Sequence, residues 1–196
     1  MFSIDLDDDA QLFPLEVWHA EEFLAHMDRG REFIGQFVPF PDRATDLEST
    51  RGMLGANAAK AADDGVRLYG IRVGGTLVGG VLFPAFDAAA GNCEVGCWLE
   101  PAAVGRGLVT KACRVLIDWA VHVRGIHRVE WHVASGNKKS IAVAERLGFT
   151  REGVLRENHL HRGVRQDTEI WALLAPEWRP ADTAPDTAPD TAPGTA

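Results

Sequence analysis

A glycine-rich turn ahead of a helix carries the clearest chemical signal in this chain. Gly105-Arg106-Gly107 follows an apolar run, residues 93–99, and precedes an amphipathic segment that begins near Leu108. The first N–H groups of a helix have no intrahelical partners and carry partial positive charge, and glycine lets a ligand approach the backbone. This spacing predicts a socket for a phosphate or pyrophosphate group. The residues expected to form it are Val104, Gly105, Arg106, Gly107, Leu108, Val109 and Thr110.

The better-known phosphate motifs fit this turn only in part. The Gly-Lys-Ser/Thr of a P-loop is absent, and Thr110 stands where the dinucleotide fingerprint needs a third glycine. The remaining functional interpretation is a shorter pyrophosphate-binding turn, in which Arg106 would lie over the phosphates. For the turn taken alone, a purely structural tight turn is the alternative.

A second candidate pair is Asn137 and Ser140, three residues apart at the start of a predicted helix. In one interpretation Asn137 only caps the helix, while Leu147 and Phe149 belong to the core. In the other, both polar side chains lie on the same side of the first turn and face the end of the preceding strand, where they contact a ligand.

Two histidines are candidates for acid–base chemistry. His132 ends a predicted strand, and His159 lies in a later strand, on the same face as His161. Imidazole titrates near neutral pH, so either ring is suited to accept a proton. A polar-rim position without catalytic function is the alternative for each.

Two pairs of candidate metal ligands fall at zinc-like spacings, Cys93 with Cys97 and His122 with His127. The two cysteines share one apolar strand, and His122 lies on a helix with a charged face. We therefore expect buried free thiols and no metal.

Composition narrows the protein class. The 196 residues carry a net charge of −8, with 46% hydrophobic and 24% charged residues. That balance is typical of a globular domain, and the acidic surface argues against a nucleic-acid partner. No apolar run approaches the roughly 20 residues that span a bilayer, and no secretory signal is recognisable. Three cysteines indicate a reducing, cytoplasmic location.

Hydrophobic periodicity predicts an α/β fold. Helices are expected near residues 17–27 and after a capping box at residues 45–48, followed by a hairpin turning at Gly74-Gly75. A third strand, a helix, a strand, a helix and two final strands complete a mixed sheet. Residues 1–179 are expected to form one domain. Residues 180–196 repeat Thr, Ala, Pro and Asp and are predicted to be disordered.

Three segments together resemble the GNAT superfamily of acyl-CoA-dependent N-acetyltransferases, especially the Rim-type branch that acetylates ribosomal-protein N-termini. That family shows an E-x-G-x-W-L-x-P strand, a Q-G-x-G-x-A turn and a later N-x-x-S-x-x-V-x-E-x-L-G-F block. The corresponding segments here are residues 94–101, 104–109 and 137–149. Val104 replaces the usual Gln or Arg, and Val109 replaces a small residue.

The resemblance implies a GNAT fold, with about six to seven strands, a V-shaped splay in the sheet and flanking helices. It implies acetyl-CoA as co-substrate, with the pyrophosphate on the turn and no metal. The pantetheine arm is then expected along the backbone of Cys97, Trp98 and Leu99. Asn137 is expected to fix that arm or a water molecule.

The resemblance also suggests catalytic roles. Ser140 is expected to protonate the leaving thiolate, because Ala144 stands where some branches carry a tyrosine. For the general base, Glu94 is the first candidate, followed by His159 and then His132.

The acceptor is expected to be an amine on a peptide or a small molecule, most simply the α-amine of a protein N-terminus. The alternatives are a small amine, such as an amino sugar, polyamine or antibiotic, and a non-catalytic acyl-CoA-binding module. Neither nucleic acid nor membrane is an expected partner. A homodimer is left open beside a monomer, because dimers are frequent in this branch.

Overall fold

A computed structural model describes residues 3–179 of the chain. Their strands are β1 Ile4–Asp7, β2 Ala10–Pro14, β3 Arg67–Val73, β4 Thr76–Asp87, β5 Asn92–Leu99, β6 Arg128–Ala134, β7 Thr150–His161 and β8 Val164–Leu174. Their α-helices are α1 Ala20–Ile34, α2 Phe40–Arg43, α3 Leu47–Ala62, α4 Leu108–Asp118 and α5 Lys138–Leu147. A π-helical turn, Trp119–Val123, extends α4. The predicted disordered tail, residues 180–196, lies outside the described residues.

The described strands form one sheet in the order β1-β2-β3-β4-β5-β6-β8-β7. All neighbours are antiparallel except β5 and β6, which are parallel and connected through α4. The prediction of a mixed α/β sheet is confirmed. Within residues 3–179 the sheet has eight strands, two more than the six predicted from periodicity, because the polar N-terminal segment forms the β1–β2 hairpin.

Each face of the sheet supports its own core. On one face, α1, α2 and α3 bury Phe23 and Leu54 against Trp98 of β5. On the other, α4 and α5 bury Leu116 and neighbouring side chains against Trp131 of β6. Since side chains alternate along a strand, neighbouring residues of β5 and β6 face different helices.

The sheet opens where β5 meets β6. The two strands pair at three positions only, the last being Glu94 opposite Glu130. Beyond that point β5 follows β4 as far as Leu99, and β6 follows β8 as far as Ala134. The strands therefore diverge, which confirms the expected V-shaped splay and leaves one edge of β5 without a partner strand.

Two local predictions need correction. The capping box before α3 involves Asp46 and Ser49, one position later than predicted: Asp46 is the residue with extended backbone, and its carboxylate accepts from the Ser49 N–H at 2.8 Å. α1 continues seven residues further than predicted, to Ile34. Residues 83–92, between the predicted second and third strands, form a paired hairpin in which Phe86 lies opposite Cys93.

A buried polar chain ties the end of β5 to α1. The Trp98 indole N–H donates to His26 Nε2 at 3.0 Å, and His26 Nδ1 lies 3.1 Å from Glu100 Oε2. Because an indole nitrogen only donates, His26 Nε2 must be the acceptor, so Nδ1–H donates to Glu100. Burial lowers the pKa of His26, which agrees with a neutral ring. Arg29 Nε donates to the same carboxylate at 3.1 Å.

Glu100 is therefore expected to hold the strand end that leads into the glycine turn. Glu100→Ala should lower the free energy of unfolding by about 3 kcal/mol, because it leaves a buried His26 donor and a guanidinium without their acceptor. Urea denaturation measures this, with Glu32→Ala, an exposed position of α1, as control. Equal stability of the two variants would contradict the assignment.

Candidate active site

A groove of about 580 Å³ opens at the gap between β5 and β6 and passes through the sheet. Lining residues toward α4 and α5 include Cys97, Trp131, Val133, Asn137 and Ser140. Lining residues toward α1, α2 and α3 include Phe37, Val38, Pro39, Phe40, Arg43, Met53, Asn57, Lys60, Leu82, Pro84, Glu94, Gly96 and His132. The groove thus has lining residues from both faces of the sheet beside the splay.

The glycine turn has the geometry of an anion socket. Gly105 and Gly107 have φ values of +95° and +72°, which favour glycine, and a side chain added at either would meet no atom within 4 Å. Within residues 3–179, the backbone N–H groups from Gly105 to Thr110 have no hydrogen-bond acceptor; the first helical bond runs from Lys111 N–H to Gly107 O at 3.0 Å. These free donors fit a diphosphate.

The side chains around the socket differ from expectation. Arg106, expected over the phosphates, is instead paired with Asp9 of the β1–β2 turn, and Lys111 Nζ lies 3.0 Å from Asp7. Arg146 was missed by sequence reasoning: from the last turn of α5 it donates to Thr110 Oγ1 at 3.1 Å. In the sequence, Arg146 is only a basic residue near the end of a predicted helix, and such a residue does not by itself indicate a phosphate-binding site.

The free edge of β5 offers backbone groups to the gap. Glu100 N–H donates to Val78 O of β4 at 2.8 Å. Because alternate residues of a strand direct their backbone groups to the same side, Trp98 also faces β4, whereas Cys97 and Leu99 face the gap. Of the three residues predicted to bind the pantetheine arm through their backbone, Trp98 is therefore the one that does not face the gap. Its side chain is buried among Phe23 and its neighbours.

Asn137 and Ser140 combine both interpretations made from the sequence. Asn137 Oδ1 accepts from the Ser140 N–H at 3.2 Å, so it caps α5, and both residues also line the groove. The Trp131 indole donates to Ser140 Oγ at 3.0 Å. With that bond accepted, the hydroxyl hydrogen of Ser140 is left to donate into the groove. Ala144 is fully buried behind them.

A series of charged and titratable side chains lies across the splay on the face of the sheet that is turned toward α1, α2 and α3. His132 Nδ1 lies 3.6 Å from Glu94 Oε2, and its Nε2 lies 2.8 Å from Glu130 Oε2. Arg128 Nε in turn donates to Glu130 Oε1 at 2.7 Å. Sequence reasoning found Glu94 and His132 but missed Arg128 and Glu130, although the alternation of residues 128, 130 and 132 on one strand face could have indicated them.

The electrostatics of these four charged or titratable side chains suit proton transfer. Burial raises the pKa of Glu94, with Glu130 adding to the rise and His132 opposing it. Burial acts in the same direction on Glu130, but the hydrogen bonds from Arg128 and His132 outweigh it, so the pKa of Glu130 is lowered. If the N–H of a neutral His132 is donated to Glu130, Nδ1 turns its lone pair to Glu94. A proton received at this end is then shared between the two.

His159 is not brought to this site. It lies on β7 opposite Gln166, its ring stacks on His161 with centroids 5.7 Å apart, and it is not among the groove-lining residues. His161 is buried, with Nε2 2.8 Å from Gly35 O. Of the two histidines predicted as candidate bases, His132 is the one that lies at the groove beside Glu94.

Cys93, Cys97 and Cys113 are free, and burial raises the pKa of the Cys93 and Cys97 thiols to about 12. Residues 3–179 contain no group of three or more His, Cys, Asp or Glu side chains placed to hold a metal ion. Within the same range, no helix is both long and apolar enough to cross a membrane.

Comparison with known proteins decides the family. A family model described as "Acetyltransferase (GNAT) domain" matches residues 10–150. The chain belongs to the GNAT acetyltransferase family. It is 34% identical over 170 residues to "Probable N-acetyltransferase YjcK" of Bacillus subtilis (strain 168), covering 84% of this chain and 93% of that protein.

Two further comparisons extend this match. "Putative ribosomal N-acetyltransferase YdaF" of Bacillus subtilis (strain 168) is 29% identical over 182 residues, 91% of this chain and 98% of that protein. The crystal structure of microcin C7 self immunity acetyltransferase MccE in complex with acetyl-CoA and AMP has a TM-score of 0.82 at 25% identity, covering 87% of this chain and 95% of that chain. The expected family, its likeness to Rim-type proteins and the class of acetyl-CoA-dependent N-acetyltransferase are confirmed.

Proposed function

We propose that this GNAT enzyme acetylates the α-amine of a polypeptide N-terminus. The observation that carries the proposal is the groove through the sheet, which has Ser140 on the α4–α5 side and the Glu94–His132 pair on the α1–α3 side. Acetyl-CoA and acceptor would therefore approach from opposite faces and meet in the splay. The similarity to a ribosomal N-acetyltransferase homologue supports a protein acceptor.

The residues of the α4–α5 face fit the donor. The free N–H groups of residues 105–110 would hold the diphosphate, with Arg146 beside them. The unpaired backbone groups of Cys97 and Leu99 would bind the pantetheine amides as another strand would. Bound acetyl-CoA supplies an activated thioester. Orienting that thioester against the amine provides a large part of the rate.

Proton transfer falls to the opposite face. An α-amine has a pKa near 7.7–8.0, so a fraction is already neutral at pH 7, and a nearby base accepts the proton that this amine loses as it attacks the thioester. Glu94 would accept the proton and share it with His132, directly or through a water molecule. Arg128 and Glu130 hold the histidine ring in place. On the other side, the free hydroxyl hydrogen of Ser140 would reach the departing thiolate.

Ser140→Ala is expected to lower turnover about tenfold and to leave acetyl-CoA affinity unchanged, since a thiolate is a tolerable leaving group even without an acid. Steady-state thiol release and calorimetry measure the two quantities. Trp131→Phe is the matched control, because it removes the bond between these side chains but keeps the hydroxyl. Equal loss in both variants would show that packing, not the hydroxyl, carries the effect.

Acetylation of defined acceptors tests the proposal. The full-length protein is mixed with acetyl-CoA and either a peptide with a free α-amine, the same peptide blocked at its α-amine but carrying a lysine, or a panel of small amines. Mass spectrometry should locate the acetyl group on the free α-amine. Exclusive modification of small amines would reject the proposal, and their acetylation is the second candidate because the MccE complex contains AMP.

The free thiols of residues 93, 97 and 113 support a reducing compartment, and the cytoplasm would supply both acetyl-CoA and ribosomal proteins. Whether the chain forms a homodimer is measured by light scattering of the full-length protein.

A further inference from the structure

The groove carries an uneven charge pattern. Its wall formed by α2 and α3 presents Arg43 and Lys60, and within residues 3–179 neither side chain forms an ion pair or a hydrogen bond. Most arginines of this chain are paired; Arg162, for example, binds Asp42, the residue that precedes Arg43. Two exposed cations facing one groove in a chain of net charge −8 call for an anionic ligand.

The cations and the base lie on different walls. Glu94 and His132 belong to the sheet, whereas Arg43 and Lys60 belong to the helices opposite. Apolar side chains, among them Val38 and Met53, line the groove with them. An acceptor that fits this pattern has an amine at one end, an apolar portion, and negative charge at the other.

The same cations act against other amines. A polyamine carries several positive charges and would place at least one near Arg43 or Lys60, where like charges repel. The donor has its own anion site on the opposite face, at residues 105–110, so its diphosphate does not account for this pair. The cations are therefore assigned to the acceptor.

We infer that the acceptor is the N-terminal segment of a polypeptide with acidic residues shortly after its first, apolar positions, and that Arg43 and Lys60 bind those carboxylates. This inference rests on the proposed function and adds the acceptor's charge to it. The attraction acts mainly on binding, so it should appear in KM, and it should weaken as ionic strength rises.

Three peptides with identical first residues test the inference. They carry acidic, neutral or basic residues from the third position onward, and kcat and KM for acetylation are measured at low and high salt. The acidic peptide should have a KM at least about tenfold below that of the neutral one, and the basic peptide should be the poorest acceptor. High salt should reduce these differences.

A double variant assigns the effect to its residues. In Arg43→Gln/Lys60→Gln the KM values of the three peptides should become nearly equal. Arg51→Gln removes an exposed cation of α3 that lies outside the groove, and it should keep the wild-type preference for the acidic peptide.

The outcomes separate the two proposals. Equal KM values for all peptides with the wild type, or a preference that survives in the double variant, would overturn the inference while peptide acetylation stands. Faster acetylation of a free phosphorylated amino acid than of any peptide would show that the cations serve a small molecule, which also overturns it. Absence of acetylation on every peptide would reject the proposed function itself.

Discussion

Gly107→Glu is expected to abolish acetyl-CoA binding, weakening affinity at least about 100-fold. The substitution acts in two ways. It places a carboxylate among the free N–H groups that would hold the diphosphate, and it forces a side chain onto a backbone φ of +72°. Calorimetric titration of the folded variant with acetyl-CoA measures the loss.

Gly125→Glu separates charge at the socket from backbone strain. Gly125 has a φ of +68° and equally open space around its Cα, but it lies in the loop before β6. The Gly125→Glu variant should therefore have the same backbone strain as Gly107→Glu but keep the wild-type affinity for acetyl-CoA. Unchanged affinity in a folded Gly107→Glu variant, or an equal loss in both variants, would rule out the socket at residues 105–110.

Glu94→Gln is expected to lower kcat/KM by about 10²-fold or more, the range for loss of a general base. Acetyl-CoA affinity should be unaffected, because Glu94 lies on the acceptor side of the splay. In the wild type kcat/KM should fall as pH falls through the pKa of Glu94, which burial raises. That acidic limb should disappear from the pH profile of the variant.

The stability of Glu94→Gln provides an independent check. A carboxyl whose pKa is higher folded than unfolded binds its proton more tightly in the folded state, so its ionisation destabilises the fold as pH rises. The free energy of unfolding of the variant at pH 7.5 should thus be no lower than that of the wild type. If the variant lost activity because it was partly unfolded, its free energy of unfolding would be lower than that of the wild type. An unaltered pH profile of kcat/KM would exclude Glu94 as the base.

Local sequence was sufficient for the features that depend on short segments. Gly105 and Gly107 were expected at the turn because positive φ and close approach need glycine. The splay was implied by the resemblance to the GNAT superfamily that the segment around Trp98 and the block after Asn137 carry. Helix α5 ends at Gly148, whose left-handed φ of +88° is typical of the glycine that follows a helix.

Features that depend on packing between distant segments were not predictable in this way. The register of β7 against β8 places His159 away from the splay, which no local pattern around that residue indicates. Arg106 was predicted to bind phosphate, but its partner Asp9 is 97 positions away in a hairpin that the polar sequence did not indicate. The order of strands in the sheet decides both positions.

A crystal structure with a bisubstrate analogue, coenzyme A joined through an acetyl bridge to the α-amine of an acidic peptide, tests the central claim most directly. The diphosphate should lie on the N–H groups of residues 105–110, the pantetheine arm along Cys97 and Leu99, and the peptide on the α3 side with its linked nitrogen beside Glu94. A coenzyme bound elsewhere, a gap between β5 and β6 closed by pairing, or a peptide on the α4 side would contradict it.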